Sequence, residues 1–457
     1  MGSLNKRAVT THRTHNGAPA KHITPEMELI RSVYNCLLWE DEFYENGETI
    51  SKRIARLVPQ VDPVVVQTIA CTARDKMKLR HVPLWVALHM LQSPNHRPLA
   101  ADTLAHIIQR PDELSEILAM YWRGGRKPIA NQLKKGLARA FGKFDEYQLA
   151  KWDKPKEIKL RDVLRLVHPV PADKAQAALW KRLKEGTMAT PETWEVLLSA
   201  GHDKRKVWEG LLKENKLGAL ALLRNLRNMQ QAGVPLDMIR MGLANMNVSK
   251  VLPFRFIAAA QFAPGLEPEI EQAMFKALTS FEKLPGLTTL LIDVSGSMFQ
   301  RMGGKSDLQR IDAACGLAIL LREICEEVAI FTFSRQFVQI PPRRGFALSD
   351  AITKSQNHLA TFLGAATKAV YSKGIITADR GRVSLQGVNL DPDRLIVLTD
   401  EQSDDPVPAP QGLGYMINVA SNKNGVGYGD WVHCDGWSEA VVNWISSLER
   451  ENLLYER

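Results

Sequence analysis

The sequence predicts a multidomain protein: an all-α helical-repeat region followed by an α/β, doubly wound domain. Three observations carry that expectation. A chain of 457 residues is too long for one compact core. From about Pro25 to Ala277, apolar residues recur three and four apart, as in "PLWVALHMLQ", "ELSEILAMYW", "LRDVLRLVH" and "ALALLRNLRNM". After "FEKLPG" the pattern changes to β-branched and aromatic runs that alternate with helical ones. The expected boundaries are a flexible basic tail over 1–24, the helical region over 25–280 and the α/β domain over 285–457.

Each element follows from its local composition. In the helical region Gly and Pro punctuate the periodic segments at short intervals, as in "SAGHD" and "QAGVPL", which suggests stacked helical hairpins. In the second half, "LTTLLIDVS" and "EVAIFTFS" read as strands separated by the helix "DLQRIDAACGLAILLREIC". There follow a helix in "LGAATKAVYSK", strands in "DRLIVLTD", "LGYMINVAS" and "DWVHCD", and a helix in "SEAVVNWISSLEREN". Alternation of this kind implies a mainly parallel sheet covered on both faces, with ligands beyond the carboxyl ends of its strands.

Composition narrows the functional class. Hydrophobic content of 45% and charged content of 24% are those of a soluble globular protein. No apolar run reaches the roughly 18 residues of a membrane span, and the segment before Thr24 lacks the apolar stretch of a secretory signal. Cys36, Cys71, Cys315, Cys325 and Cys434 are scattered and show no C-x-x-C pair, which fits a reducing, cytoplasmic setting. The formal net charge is +9. Between Tyr121 and Val170 thirteen Lys and Arg face five acids, so most of the excess is gathered in one segment. Such clustering suggests a polyanion partner.

The stretch "TLLIDVSGSM" ends a strand in an aspartate followed by two spaced serines. Ser295 and Ser297 could cap the next helix. Alternatively Asp293, Ser295 and Ser297 offer hard oxygens to a divalent cation, joined by Thr361 before a later helix and by Asp400 at another strand end. Carboxylate and hydroxyl oxygens with open water positions suit Mg²⁺. In this respect the sequence resembles the von Willebrand factor A domain, a Rossmann-like fold, and its metal-ion-dependent adhesion site (MIDAS). Asp293, Ser295, Ser297, Thr361 and Asp400 match that motif, with Leu359 and Ala360 standing where the family has glycines. No phosphate loop, nucleophile elbow or H-E-x-x-H is present, so the expectation is a non-enzyme.

In "RGGRKPIANQLKKGLARAFGKFDEYQLAKW", Ile129, Leu133, Leu137, Phe141 and Phe144 fall on one side of a helical wheel. Lys135, Arg139 and Lys143 lie opposite, with Lys134 at the flank and no acid between Gly124 and Phe144. This is either an ordinary solvated face or a surface for phosphates. Aromatics are interleaved: of Tyr121, Trp122, Phe141, Phe144, Tyr147 and Trp152, most are expected in the core, and one or two at helix ends could stack on unpaired bases. Arg126, Lys127, Lys151, Lys154, Lys156, Arg161, Arg165 and His168 complete the candidate surface.

These residues carry a second resemblance. The run from "RKPIANQLKKGLARAF" through "FDEYQLAKW" to "LRDVLRLVHP", with "ALALLRNLRNM" and "VLPFRFIAAA", is similar to the TROVE domain of the Ro ribonucleoprotein family. That resemblance implies a ring of HEAT-like helical repeats joined to a von Willebrand A domain. It further implies a scaffold holding small noncoding Y RNA, with single-stranded 3′ ends of misfolded RNA in the ring and an exoribonuclease as partner. Monomeric protein within a ribonucleoprotein is the form it suggests. Lys151 and His168 match RNA contacts of the family. Lys154 and Lys156 flank a further one, where Pro155 takes the aligned place.

Overall fold

The computed structural model describes residues 24–34, 47–75, 79–154, 156–189, 193–199, 201, 203–249, 251, 254–279, 283–301, 309–420, 425–427 and 430–435, together with 441, 445 and 449. The expected tail over 1–24 lies almost wholly outside the described residues, as does Cys36. Of the described residues, one compact unit holds 32–34 and 47–245, and the other holds 24–31 and those from 246 onward.

The first unit is helical, with no strand among its described residues. The expected segments are observed as helices Pro63–Asp75, His81–Gln92, Arg97–Ile107, Pro111–Tyr121, Asn131–Phe141, Leu160–Val167, Lys174–Glu185, Lys204–Lys213 and Ala219–Gln231. Local chemistry sets their ends. Pro63 and Pro111 open helices at the position where a missing N–H costs nothing. Asp145, Asp173 and Asp203 cap others by accepting from backbone N–H groups within the first turn. Gly186 closes Lys174–Glu185 in the left-handed conformation, φ +72°.

The second unit is built on a six-stranded sheet. Its strands are β1 (Leu284–Asp293), β2 (Cys325–Phe333), β3 (Phe337–Gln339), β6 (Arg394–Thr399), β7 (Leu413–Asn418) and β8 (Val432–Asp435). A separate antiparallel hairpin pairs β4 (Ile375–Ala378) with β5 (Val383–Gln386). The sheet order is β3-β2-β1-β6-β7-β8, parallel throughout except for the short edge strand β3. Every residue of β6 is buried, as expected of a strand covered on both faces. Helix Arg310–Ile324 is nearly all buried. Helix Leu363–Tyr371 supplies Leu363, Ala366 and Val370 to a core with Leu291, Phe331 and Val397. Helices Phe254–Phe262 and Glu267–Leu278, which the sequence groups with the helical region, belong to this compact unit: Glu271 accepts the Phe346 N–H at 2.8 Å. Of the expected helix over 438–452, residues 441, 445 and 449 are described, and all are helical.

The direction of strand addition reverses between β1 and β6. The crevice beyond the carboxyl ends of two such strands is where an open α/β sheet receives ligands. Asp293 ends β1 and Asp400 follows β6.

Candidate nucleic-acid interface and metal centre

Helix Asn131–Phe141 has the two faces its periodicity predicts. Leu133, Leu137, Phe141 and, beyond its end, Phe144 are buried, whereas Lys135, Arg139 and Lys143 are exposed and Lys134 is half-buried. Gly136 lets this helix approach Arg97–Ile107 closely, since a Cβ there would lie 2.7 Å from the Leu104 Cβ. The closeness has an electrostatic consequence. Arg139 pairs with Asp102, and the Lys143 ammonium donates to the Ala105 carbonyl. Burial lowers the Lys143 pKa.

Two expected contacts are therefore neutralised by acids, which corrects the expectation of a wholly unopposed basic face. Besides Arg139 with Asp102, Lys156 donates to Glu116 at 3.1 Å. Both acids sit on neighbouring helices and could not be paired from sequence. By contrast Arg126, Lys127, Lys134, Lys135, Lys151, Lys154, Arg161 and Arg165 make no ion pair within 4.0 Å among the described residues. All but Lys134, Lys151 and Arg161 are exposed, and those three are half-buried.

Aromatic rings are threaded between these cations. Arg126 lies 5.5 Å from the Trp122 ring centre and Lys127 lies 4.4 Å from that of Tyr121. Trp152 carries Arg110 at 3.7 Å, a residue absent from the sequence-based surface, with Lys154 at 5.5 Å. Tyr147 is 53% exposed and has Lys151 5.7 Å away. His168 follows helix Leu160–Val167 in the left-handed conformation, φ +49°, and is exposed. Phe141 and Phe144, in contrast, are core residues.

The other candidate cluster lies at the sheet switch point. Asp293, Ser295, Thr361 and Asp400 are all buried, and Ser297 is half-buried. Asp293 accepts the Ser295 N–H at 2.9 Å through Oδ1 and the Thr399 hydroxyl at 2.6 Å through Oδ2. The Ser295 and Ser297 hydroxyls are 3.2 Å apart. Ser295 makes no side-chain cap to the turn Gly296–Phe299, which removes the capping explanation for that residue. Gly296 N–H donates to the Leu359 carbonyl at 3.3 Å, tying this loop to the one that ends in Thr361. Thr361 is held in turn by Asp404, which accepts its N–H at 2.6 Å.

Asp405 accepts the Gly364 and Ala365 N–H groups at 2.8 and 2.7 Å, fixing the start of the next helix. A Cβ on Gly364 would lie 2.1 Å from the Pro406 carbonyl oxygen. Gly364→Ala is thus expected to destabilise the α/β unit by about 1–3 kcal/mol, read as a lower melting temperature.

Two buried carboxylates and three hydroxyls are the kinds of oxygen donor that a hard divalent cation takes. Burial, with the charge of Asp400, raises the Asp293 pKa well above the usual carboxylate range. Sequence reading missed one member of the cluster. Arg310 is 1% exposed, and its Nη1 donates to Asp400 at 2.9 Å and to the Ser297 carbonyl at 3.3 Å. Its signal, an arginine opening an otherwise apolar helix, was visible but ambiguous.

The TROVE domain family model matches residues 173–281. Telomerase protein component 1 of Mus musculus is 25% identical over 212 residues, 42% of this chain and 8% of that protein. The Rattus norvegicus protein of the same name is 32% identical over 108 residues, 22% of this chain. The chain thus spans only 8% and 4% of the length of these relatives. Among solved structures, the RO (RSR) protein of Deinococcus radiodurans is similar at a TM-score of 0.59 and 18% identity, over 92% of this chain and 98% of that one. That likeness establishes a common fold, a helical region followed by an α/β sheet domain. The chain thus matches the TROVE domain family at residues 173–281 and shares the fold of the Deinococcus RO protein.

Proposed function

We propose that this protein is a non-catalytic RNA-binding scaffold of a ribonucleoprotein. It holds a small structured noncoding RNA of the Y type on its basic surface and receives single-stranded ends of misfolded RNA, in cytoplasmic RNA quality control with an exoribonuclease. The observation that carries this reading is the group of eight cations, from Arg126 to Arg165, that no carboxylate neutralises within 4.0 Å among the described residues. The half-buried rings of Tyr121 and Trp122 and the exposed ring of Tyr147 lie among them, and the TROVE and RO likenesses point the same way. Phosphate attraction provides the affinity and unpaired bases provide contacts that a duplex hides. No helix among the described residues is long and apolar enough to cross a membrane.

The test is salt dependence. Replacing Lys134 and Lys135 by Ala is expected to weaken RNA binding and to flatten the log–log salt slope by roughly one to two. Fluorescence anisotropy across a salt series measures both. An unchanged slope would remove these two residues from the interface.

The switch-point cluster supports a second element of the proposal. Asp293, Ser295, Ser297, Thr361 and Asp400 would hold Mg²⁺ or another divalent cation. Such an ion would supply an open coordination position for an acidic side chain of a protein partner. An adaptor acting through this site alone is the competing reading. Nuclease treatment before a pull-down, with and without chelator, separates the two.

A further inference from the structure

Tyr121 and Trp122 are consecutive residues at the end of helix Pro111–Tyr121, yet they line different clefts. Trp122 borders a cleft of about 610 Å³ with Ile158, Leu166 and Arg165. Tyr121 borders a neighbouring one of about 400 Å³ with Arg97, Asn131 and Gln132. Lys127 lines both. Both volumes fall in the range of small-ligand sites.

The loop between the clefts is held by the rings themselves. Trp122 Nε1–H donates to the Lys127 carbonyl at 2.8 Å, and the Tyr121 hydroxyl donates to the Pro128 carbonyl at 2.9 Å. Each ring thus has its polar edge tied back to the loop and lines a cleft, with the Lys127 ammonium 4.4 Å from the Tyr121 ring centre and the Arg126 guanidinium 5.5 Å from that of Trp122. Gly125, at φ +112°, makes the bend possible.

Resting on the RNA-binding reading above, we infer that Tyr121 and Trp122 form a two-base reader for single-stranded RNA. One unpaired base lies against each ring, and the phosphate between them meets the shared Lys127. The chemistry of the larger cleft supports this occupant. An aromatic plate and two aliphatic side chains suit a base, and Arg126 and Arg165 at the same cleft suit the flanking phosphates. Glu157 and Asp162 also line it, but Asp162 already accepts the Lys159 N–H at 3.0 Å. Glu157, exposed and without a hydrogen bond or ion pair among the described residues, is the better placed acceptor for an exocyclic amine, which favours adenine, cytosine or guanine over uracil in that cleft. A base pair within a duplex offers neither a free face nor a free edge, so the reader selects unpaired nucleotides.

The probe is a five-nucleotide single-stranded RNA with 2-aminopurine at its centre, titrated into the full chain. Stacking quenches the probe, and anisotropy reports affinity. Binding to the unaltered protein is expected to quench it. Trp122→Leu should lose about tenfold in affinity and most of the quenching, with the salt slope unchanged. Trp122→Phe, which keeps the ring face, should retain the quenching. Glu157→Gln should narrow the preference for the purine pentamer over an all-uridine one. A melting curve matching the unaltered protein shows that each variant is folded, and the phenylalanine variant separates loss of stacking from loss of the loop hydrogen bond. Equal affinity and quenching in Trp122→Leu would overturn the reader. Binding of structured RNA that depends on Lys134 and Lys135, without binding of the pentamer, would overturn the reader and leave the RNA-scaffold reading standing. Failure to bind either RNA would overturn both.

Discussion

Glu113→Ala is expected to lower the stability of the helical unit by about 3–5 kcal/mol, the loss typical of a buried charge deprived of its partner. Glu113 is 0% exposed and accepts five hydrogen bonds. Arg74 Nη2 reaches both oxygens, at 2.9 and 3.1 Å, and Arg80 Nε reaches Oε1 at 3.2 Å. The backbone N–H groups of Gln109 and Arg110 donate to Oε2 and so start helix Pro111–Tyr121. Removing the carboxylate strands the Arg74 guanidinium, whose pKa burial already lowers, and uncaps the helix that ends in Tyr121 and Trp122. In a unit of this size the loss corresponds to roughly 10 °C in melting temperature. Arg80→Ala should cost less, because that side chain is 28% exposed and gives up less burial. Acid acts on the same network. Burial alone would raise Glu116, but His81, Arg80 and Lys156 hold it down to about 2. Its contribution is therefore present above the ordinary value of 4.5 and lost as pH falls towards 2. Thermal melting, with amide exchange of residues 111–121, checks the substitution. A melting temperature within a degree or two of the unaltered protein would show that Arg74 does not depend on Glu113.

What the sequence made legible were features of short range. The helical period placed Leu133, Leu137 and Phe141 on a buried face, and the hydrophobic run before Asp293 announced a central parallel strand. The alternation of strands and helices was enough to locate Asp293 and Asp400 at strand ends, and the reversal of order between β1 and β6 brought them together. Short strands were not legible. β3 has three residues, and β4 and β5 meet across a turn in which Arg380 takes φ +52°, a conformation that its residue type does not advertise. Charge partners were illegible for a different reason. Asp102 and Glu116 neutralise Arg139 and Lys156 across 37 and 40 residues, and nothing in a local pattern selects one acid from fifty. Net charge in a segment therefore overstated the cations open to a ligand.

Arg310→Met is expected to make the α/β unit unstable without divalent cation and to restore it with Mg²⁺. Asp293 and Asp400 are both 0% exposed, and burial together with the charge of Asp400 raises the cost of ionising Asp293. Arg310 supplies a buried positive charge 2.9 Å from Asp400. Methionine fills similar space without charge, so the variant leaves two buried carboxylates with their neutralising cation gone, at a cost of about 3–5 kcal/mol in chelator. An ion bound by Asp293, Ser295, Ser297, Thr361 and Asp400 would replace that charge. In the unaltered protein the same ion must share Asp400 with a guanidinium, which weakens its binding. The magnesium-dependent rise in melting temperature should accordingly be larger in Arg310→Met than in the unaltered protein. At a concentration 100 times the dissociation constant, binding contributes about 2.7 kcal/mol. Asp400→Asn in the Arg310→Met background should abolish the magnesium response, which distinguishes this site from adventitious binding elsewhere. Melting in chelator and in MgCl2, with calorimetric titration of Mg²⁺, makes the comparison. Equal magnesium shifts with and without Arg310 would show that the guanidinium does not compete for Asp400, and no shift in either protein would remove the metal from the proposed function.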